Sequence, residues 1–212
     1  MGLLETIPCF LIHREQDTIR EPCIQALETA LHCKVQRFEG ISGDVLIATG
    51  FPTKHPHESV PTSPGNLGCT ASHVEIIDAA IKDNKEYICI FEDDAEVMGD
   101  LDTYLMEVNT LPTSDMILLG TNEIVEAGST ELSTIKTVRR FWGTHAVILG
   151  RKAMNAILHT YKRYVNKGFA LPADWLYSYA IKEEGLLAYA PTSSIIRQKP
   201  GLISFISGKV RA

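Results

Sequence analysis

The feature that most limits the fold of this chain is an alternation of short apolar runs with longer stretches of helical periodicity. Apolar runs of the length of a buried strand occur at residues 7–12, 87–91, 116–119 and 146–149. Apolar residues at helical spacing include Ala71, Val74, Ile77 and Ile81, and later Ala153, Ile157, Tyr161 and Val165. Strands that alternate with helices build a largely parallel sheet covered by helices on both faces. We therefore expect an α/β domain.

The opening of the chain predicts a β-α-β unit. The run at 7–12 is followed by a polar cluster at 13–17, a helix is predicted over 20–32, and a second strand over 35–38. Four prolines between Gly50 and Gly65 then predict an irregular connection over a site. Residues 175–183 have the pattern of a late helix.

Length, charge and cysteine content exclude several classes of protein. A chain of 212 residues suits one domain, and its net charge of −6 makes nucleic acid an unlikely main partner. The sequence contains no apolar run long enough for a membrane span and no leader at its start, and its five cysteines form no CxxC pair. These observations predict a protein of the reducing cytoplasm.

Three successive acids, Glu92, Asp93 and Asp94, directly follow the apolar run at 87–91. Carboxylates crowded at the end of a strand repel one another unless a cation or hydrogen-bond donors neutralise them. Mg²⁺ or Mn²⁺ suits such a site, because these ions use one or two carboxylates and take the remaining ligands from water and phosphates. The alternative is that Asp93 and Asp94 are turn or helix-cap residues before Ala95.

The surroundings of the acids resemble a known family. The blocks Gly68-Cys69-Thr70-Ala71-Ser72-His73 and Tyr87 to Ala95 are similar to the core of the lipopolysaccharide-type glycosyltransferases of family 25. Two further blocks follow in the family's order, a returning strand at 141–149 and an acid-containing segment at 172–176. The matches span roughly residues 5 to 200, which a chance hit would not reproduce.

The resemblance implies a GT-A fold, a Rossmann-like three-layer sandwich that binds a nucleotide-sugar at the carboxyl ends of its strands. It also implies an inverting transfer from a UDP-sugar donor to a glycan or glycoprotein acceptor. Glu92-Asp93-Asp94 would be the DxD-type motif, with Glu92 in place of the commonest Asp. Glu92 would then lie near the ribose and the metal, Asp94 would bind Mn²⁺ or Mg²⁺, and Asp93 would contact metal or sugar or be structural.

Five further residues are expected at the donor site. His13 and Arg14 partly match a family segment that we assign to the nucleotide, and Arg20 is expected to meet a phosphate. For Arg20 the alternative is a solvated surface charge. Ser72 and His73 belong to the block beside the metal strand, so we expect them to contact the donor or orient the acids.

The acceptor side needs a general base, and Asp174 matches the family's later acid. Its alternative role is to cap the helix that follows. Trp175 is placed to stack on a sugar, while Trp142 and Tyr177 are stacking platforms or, more often at such spacings, core residues. His145 is expected at the donor site, in the metal shell or facing the sugar, with a core position as its alternative.

Two other functions compete with the transferase. A nucleotidyltransferase also uses a carboxylate-bound metal, but the sequence has no glycine-rich triphosphate loop. A non-catalytic nucleotide-sugar or glycan-binding module would keep the fold without turnover. A likeness to glycosyltransferase domains of chlorella viruses further predicts that residues 1–212 are one domain of a longer viral polypeptide in the host cytoplasm.

Overall fold

Strands and helices alternate through the computed structural model, which describes residues 3–31, 33–59 and 61–202. The helices are α1 (Leu3–Thr6), α2 (Glu21–Leu31), α3 (Gly43–Ala48), α4 (Pro64–Lys82), α5 (Leu101–Val108), α6 (Arg151–Asn166) and α7 (Ala173–Glu184). The strands are β1 (Cys9–His13), β2 (Val35–Glu39), β3 (Tyr87–Glu92), β4 (Ala95–Val97), β5 (Met116–Gly120), β6 (Glu123–Ser129), β7 (Ile135–Trp142), β8 (Ala146–Gly150), β9 (Ala188–Pro191) and β10 (Ile196–Gln198). No helix in these ranges is long and apolar enough to cross a membrane.

The central sheet has eight strands within the described residues, in the order β2-β1-β3-β8-β5-β9-β7-β6. The pairs β1–β2, β1–β3 and β5–β9 are parallel, and the other four are antiparallel. It follows that six strands run in one direction and only β7 and β8 run in the other. The expected mostly parallel central sheet is confirmed in this sense. The short strands β4 and β10 form a separate antiparallel pair.

Two hydrophobic layers cover the two faces of the sheet. In β3, Ile88 and Ile90 face the layer that contains α4, α6 and α7, whereas Cys89 and Phe91 face the layer of α2 and α5. This alternation follows from the two-residue period of a strand, and both faces are apolar because both are covered. The structure is therefore the three-layer α/β sandwich that the sequence predicted.

Several boundaries differ from the predictions. Helix α2 begins at Glu21 after a 3-10 turn, and the predicted last residue, His32, lies outside the described residues. Helix α4 begins at Pro64 rather than after Gly68, because the Ser63 hydroxyl accepts a hydrogen bond from the Asn66 N–H and proline suits the first helical position. The proline-rich segment is irregular, as expected, over residues 51–59 and 61–63.

The returning strand predicted at 141–149 is in fact two strands. Strand β7 ends at Trp142, Gly143 adopts a φ of +85°, and β8 begins at Ala146. A glycine in the left-handed region interrupts pairing, and here it lets the chain turn into the sheet interior. This break brings residues 143–145 to the edge of the sheet where β3 ends.

Candidate active site

A cavity of about 340 Å³ lies at the carboxyl ends of β1 and β3. From β1 the chain moves to β2 on one side and then to β3 on the other, so the cavity lies where the strand order reverses. Open α/β sheets bind their ligands at such points. Seven sequence-predicted residues line it: His13, Arg14, Arg20, Ser72, Glu92, Asp93 and Asp94. The other three, His73, His145 and Asp174, are not part of its lining.

Arg20 is a buried cation among the acids. Its Nη1 contacts Oδ1 of Asp93 and lies 2.9 Å from Oδ2 of Asp94, and His13 Nδ1 donates to Asp93 Oδ2 at 3.0 Å. Burial lowers the pKa of Arg20, but the two aspartates raise it by more. Burial raises the pKa of Asp93, against the opposing effects of Arg20 and His13. The alternative of a solvated surface charge is wrong for Arg20, because its side chain is only 4% exposed.

Asp93 and Asp94 also form the turn between β3 and β4. The Asp94 carbonyl accepts a hydrogen bond from the backbone N–H of Lys199 at 2.7 Å, which ties the turn to the end of β10. The turn alternative is therefore correct for these residues, whereas the helix-cap alternative is wrong. A turn does not exclude a ligand role, because both side chains still line the cavity.

Glu92 has a different set of contacts. Its Oε1 accepts a hydrogen bond from the Thr144 hydroxyl at 2.8 Å, and it lies 3.7 Å from Cys69 Sγ and 3.6 Å from His73 Nε2. Burial raises the pKa of Glu92, but His73, His145 and Thr144 together lower it to about 2. Burial and the nearby acids raise the pKa of the Cys69 thiol well above its usual range. The site therefore keeps an ionised Glu92 beside a protonated thiol.

The metal that the resemblance implies can be tested against these side chains. The ligand atoms of Cys69, His73 and Glu92 all lie within 4.8 Å of one another. Transition metals accept imidazole, thiolate and carboxylate donors, whereas Mg²⁺ prefers oxygen alone, so the set fits a first-row transition ion better than Mg²⁺, provided that Cys69 loses its proton on binding. Asp94, the other predicted ligand, has its Oδ2 against Arg20. Of the two predicted metal ligands, Glu92 is thus the one that could bind an ion without a rearrangement of its side-chain contacts.

Asp174 lies in the first turn of α7, next to the end of β7. Its Oδ2 accepts from the Gly143 N–H at 3.1 Å and its Oδ1 from the Trp175 N–H at 2.8 Å. Pro172 occupies the N-cap position, so Asp174 does not cap the helix in the way the alternative supposed. Burial raises the pKa of Asp174 despite these two hydrogen bonds, and the charge of Glu92 contributes to the rise. A carboxylate with a raised pKa is suited to accept a proton near neutral pH.

Three of the predicted residues act on the shape of the site. The Ser72 hydroxyl accepts from the Ile41 N–H at 2.9 Å and donates to the Gly68 carbonyl at 2.8 Å, which fixes the loop after β2 against α4. His73 Nδ1 lies 2.8 Å from the hydroxyl of Tyr177, a residue that proves to be core. His145 is also buried, and its Nε2 donates to the Ile196 carbonyl at 3.0 Å.

The sequence analysis did not single out Cys69, Gly143 or Thr144. Each lies inside a block that carried the resemblance, but the type of residue does not by itself predict the contact that it makes. Thr144 and Gly143 reach Glu92 and Asp174 only because β7 ends at Trp142 and the chain turns there. The usable signal was the Trp-Gly-Thr sequence, in which a glycine between two strands marks a break.

Comparison with known proteins gives one family and several distant structures. The model of "Glycosyltransferase family 25 (LPS biosynthesis protein)" matches residues 6–177. No curated protein matches the chain. The crystal structure of A197 from STIV has a TM-score of 0.50 and 9% identity, and the alignment covers 97% of this chain and 94% of that one. At this identity the likeness concerns the fold alone.

Two other solved structures are more distant in shape. A glycosyltransferase involved in the glycosylation of the major capsid of PBCV-1 has a TM-score of 0.41 and 13% identity, with 84% of this chain and 76% of that one covered. Mouse xyloside xylosyltransferase 1 has a TM-score of 0.44 and 11% identity, with 86% and 83% covered.

Proposed function

The chain belongs to glycosyltransferase family 25, and from this premise we propose that it transfers a sugar from a UDP-sugar to the hydroxyl of a glycan, with inversion at the anomeric carbon. One observation carries the proposal. The cavity that holds the basic and acidic side chains is connected to the half-buried Asp174 by the consecutive residues Gly143 and Thr144, which bond Asp174 and Glu92 respectively. A donor site and a base candidate are therefore adjacent.

On the donor side, the cations are suited to the diphosphate. Arg14 and Arg20 line the cavity together with the N-terminal turn of α4, whose Pro64 and Gly65 also lie in its wall. Guanidinium groups and helix N-termini both favour phosphate oxygens. His13 is assigned to the nucleoside, Glu92 to the ribose and metal, and Asp93 to holding Arg20 in place.

On the acceptor side, Asp174 is the proposed base. Its carboxylate would take the proton from the acceptor hydroxyl as that oxygen bonds to the anomeric carbon. The bond from this carbon to the diphosphate breaks with its electrons remaining on the leaving phosphate, whose charge the arginines offset. Attack from the face opposite the leaving group gives inversion.

The proposed metal is Mn²⁺ or Mg²⁺. Glu92 would hold it together with His73 and Cys69, whose ligand atoms lie close to one another. Asp94 would become a ligand only if the metal ion took the place of Arg20 beside it. A bound divalent ion would supply positive charge to the phosphate oxygens. The donor set of this chain favours Mn²⁺ of the two.

The first test is a calorimetric titration of UDP and several UDP-sugars into the protein, with Mn²⁺ and then with EDTA, followed by a donor-hydrolysis assay. Metal-dependent binding with slow release of sugar is the expected result. Failure of every nucleotide to bind in either condition would favour the alternative, a non-catalytic glycan-binding module.

A variant tests the ligand assignment. Asp94→Ala should abolish both Mn²⁺-dependent donor binding and transfer, because it removes a cavity carboxylate and the partner of Arg20. Asp102→Ala, which removes an exposed aspartate from the first turn of α5, is the matched control and should change neither. Retained turnover in Asp94→Ala would reject this role for Asp94.

The setting of the enzyme is part of the proposal. A cytoplasmic location, a viral source and membership of a longer polypeptide are predictions from sequence. Expression of the tagged chain in a eukaryotic cell, followed by fractionation, tests the location.

A further inference from the structure

Four rings form a surface beside Asp174, and we call His57, Trp142, Trp175 and Tyr179 the aromatic surface. The ring centres of Trp142 and Trp175 are 5.3 Å apart, and those of Trp175 and Tyr179 are 5.8 Å apart. His57 stacks on Trp175 at 6.3 Å with 24° between the planes. His57 is exposed and the other three are half-buried, so the rings meet solvent on one side.

Hydrogen bonds hold this surface in shape. Trp142 ends β7, Trp175 and Tyr179 lie one turn apart on α7, and the proline-rich segment supplies His57. That segment is fastened to the connection before α7, where the Ala170 N–H donates to the Lys54 carbonyl at 2.9 Å and the Thr62 hydroxyl donates to the Ala170 carbonyl at 3.0 Å. The rings are therefore placed before any ligand arrives, which reduces the entropy lost on binding.

The aromatic surface is continuous with the acids of the site. Trp142 belongs to it, the next residue bonds Asp174 at 3.1 Å, and the residue after that bonds Glu92 at 2.8 Å. Successive Cα atoms are about 3.8 Å apart, so the Cα atoms of Trp142 and Thr144 are less than about 8 Å apart. One short segment therefore contributes a ring to the aromatic surface and contacts both acids.

Arg140 adds hydrogen-bond donors to this surface. Its guanidinium carbon lies 4.8 Å from the ring centre of Trp142 and 4.7 Å from that of Trp175. Among the described residues no carboxylate pairs with Arg140, and its Nε has no hydrogen-bond partner. Stacked rings with a few polar donors at the edge match a sugar ring, which has an apolar C–H face and hydroxyl groups around its rim.

We infer that the aromatic surface binds the acceptor, and that the acceptor group is a pyranose ring of a glycan rather than a hydroxyl of a peptide. The C–H face of the sugar packs on the exposed part of the aromatic surface, where His57 lies, Arg140, which lies over Trp142 and Trp175, donates to a ring substituent, and one hydroxyl is directed to Asp174. This inference rests on the proposed function, since it assigns the second substrate of the same reaction.

The chain supplies its own probe for the test. Its only two tryptophans, Trp142 and Trp175, both belong to the aromatic surface, so intrinsic tryptophan fluorescence reports on this region alone. The probes are methyl glycosides of common hexoses, titrated into the full chain with and without UDP, and a hydroxyl-bearing peptide serves as the competing acceptor class. UDP binding is followed in parallel by calorimetry.

We expect a saturable fluorescence change with at least one glycoside and none with the peptide. The variants Trp175→Leu and His57→Ala should weaken glycoside binding by about tenfold and raise the acceptor KM to the same extent, the upper range for an aromatic contact. UDP affinity should stay unchanged in both, because neither ring lines the donor cavity.

Phe51→Leu is the matched control. Phe51 lies in the same proline-rich segment but stacks on Tyr161 at 6.4 Å, outside the aromatic surface, so glycoside binding should be preserved. His57 is exposed, which makes its variant informative even if Trp175→Leu does not fold. Normal UDP binding without any glycoside response, or a response to the peptide alone, overturns the inference and leaves the donor assignment intact. If the unmodified chain does not bind UDP, the proposed function is overturned instead.

Discussion

Replacement of Arg20 by methionine tests how the cavity neutralises its acids. Methionine replaces the aliphatic part of the side chain but removes the cation that lies between Asp93 and Asp94, while His13 stays beside Asp93. Removing one partner of a buried ion pair costs about 3–5 kcal/mol, because a buried charge loses its compensation. For a chain of this size that is a drop in Tm of roughly 10 °C in EDTA.

The measurement is thermal unfolding of the unmodified chain and the variant, with EDTA and with Mn²⁺. An added cation can replace part of the charge that Arg20 supplied to these carboxylates, so Mn²⁺ should recover part of the loss in Arg20→Met and raise the Tm of the unmodified chain by less. The control is Arg37→Met, since Arg37 pairs with Glu21 and Glu28 at the surface with 41% of its side chain exposed. Exposed pairs contribute about 0–1 kcal/mol. Equal losses in the two variants would refute the view that Arg20 carries the charge balance of the cavity.

Three further outcomes follow from the contacts around Asp174. Asp174→Asn keeps an acceptor for one of the two backbone N–H groups, and it lies outside the lining of the donor cavity, so donor binding by calorimetry should be unchanged while transfer falls by about 10²- to 10⁴-fold. Burial raises the pKa of Asp174, so the fall of kcat/KM on acidification should occur at a higher pH than the usual aspartate pKa of about 3.9. This acid limb of the pH profile should disappear in Asp174→Asn. Gly143→Ala should lower Tm by more than Gly168→Ala. Both glycines have a positive φ, but of the two only Gly143 has a neighbour in the way of an added Cβ, which would lie 2.8 Å from Asn122 Nδ2. Equal losses in the two glycine variants would contradict this account.

The sequence predicted the parts of the fold that depend on local pattern. The strand at 87–91 was found because it is a continuous apolar run of the length of a buried strand, and the helices α4, α6 and α7 were found because their sequences have the pattern of a helix. Strand β6 was missed because its side chains are mostly exposed and offer no apolar run, and its place is set by pairing with β7. Strand order likewise depends on contacts between residues distant in the chain, which periodicity does not encode.

The candidate site was predictable as a set of residues more than as a set of contacts. The acids after β3 and the loop after β1 were expected together, because parallel strands end at one edge of a sheet. That Arg20 would be buried between Asp93 and Asp94 was not predictable, since an arginine at the start of a helix usually faces water. The role of Thr144 depended on the break at Gly143, which separates two strands inside the block that the resemblance implied to be one returning strand.

The order of the strands also determines which parts of the sheet can form first during synthesis. Strand β9, at Ala188–Pro191, lies between β5 and β7, so the hydrogen bonds that join the two parts of the sheet form only after nearly all the described residues have left the ribosome. Until then the β6–β7 hairpin, which ends in Trp142 and leads to Gly143, has no strand partner in the sheet. Such late, long-range pairing makes folding slow. A nascent chain stopped before Ala188 would thus have the β1–β3 half of the cavity but lack the strand that joins the β6–β7 hairpin to the rest of the sheet, so the eight-stranded sheet would be completed only with β9.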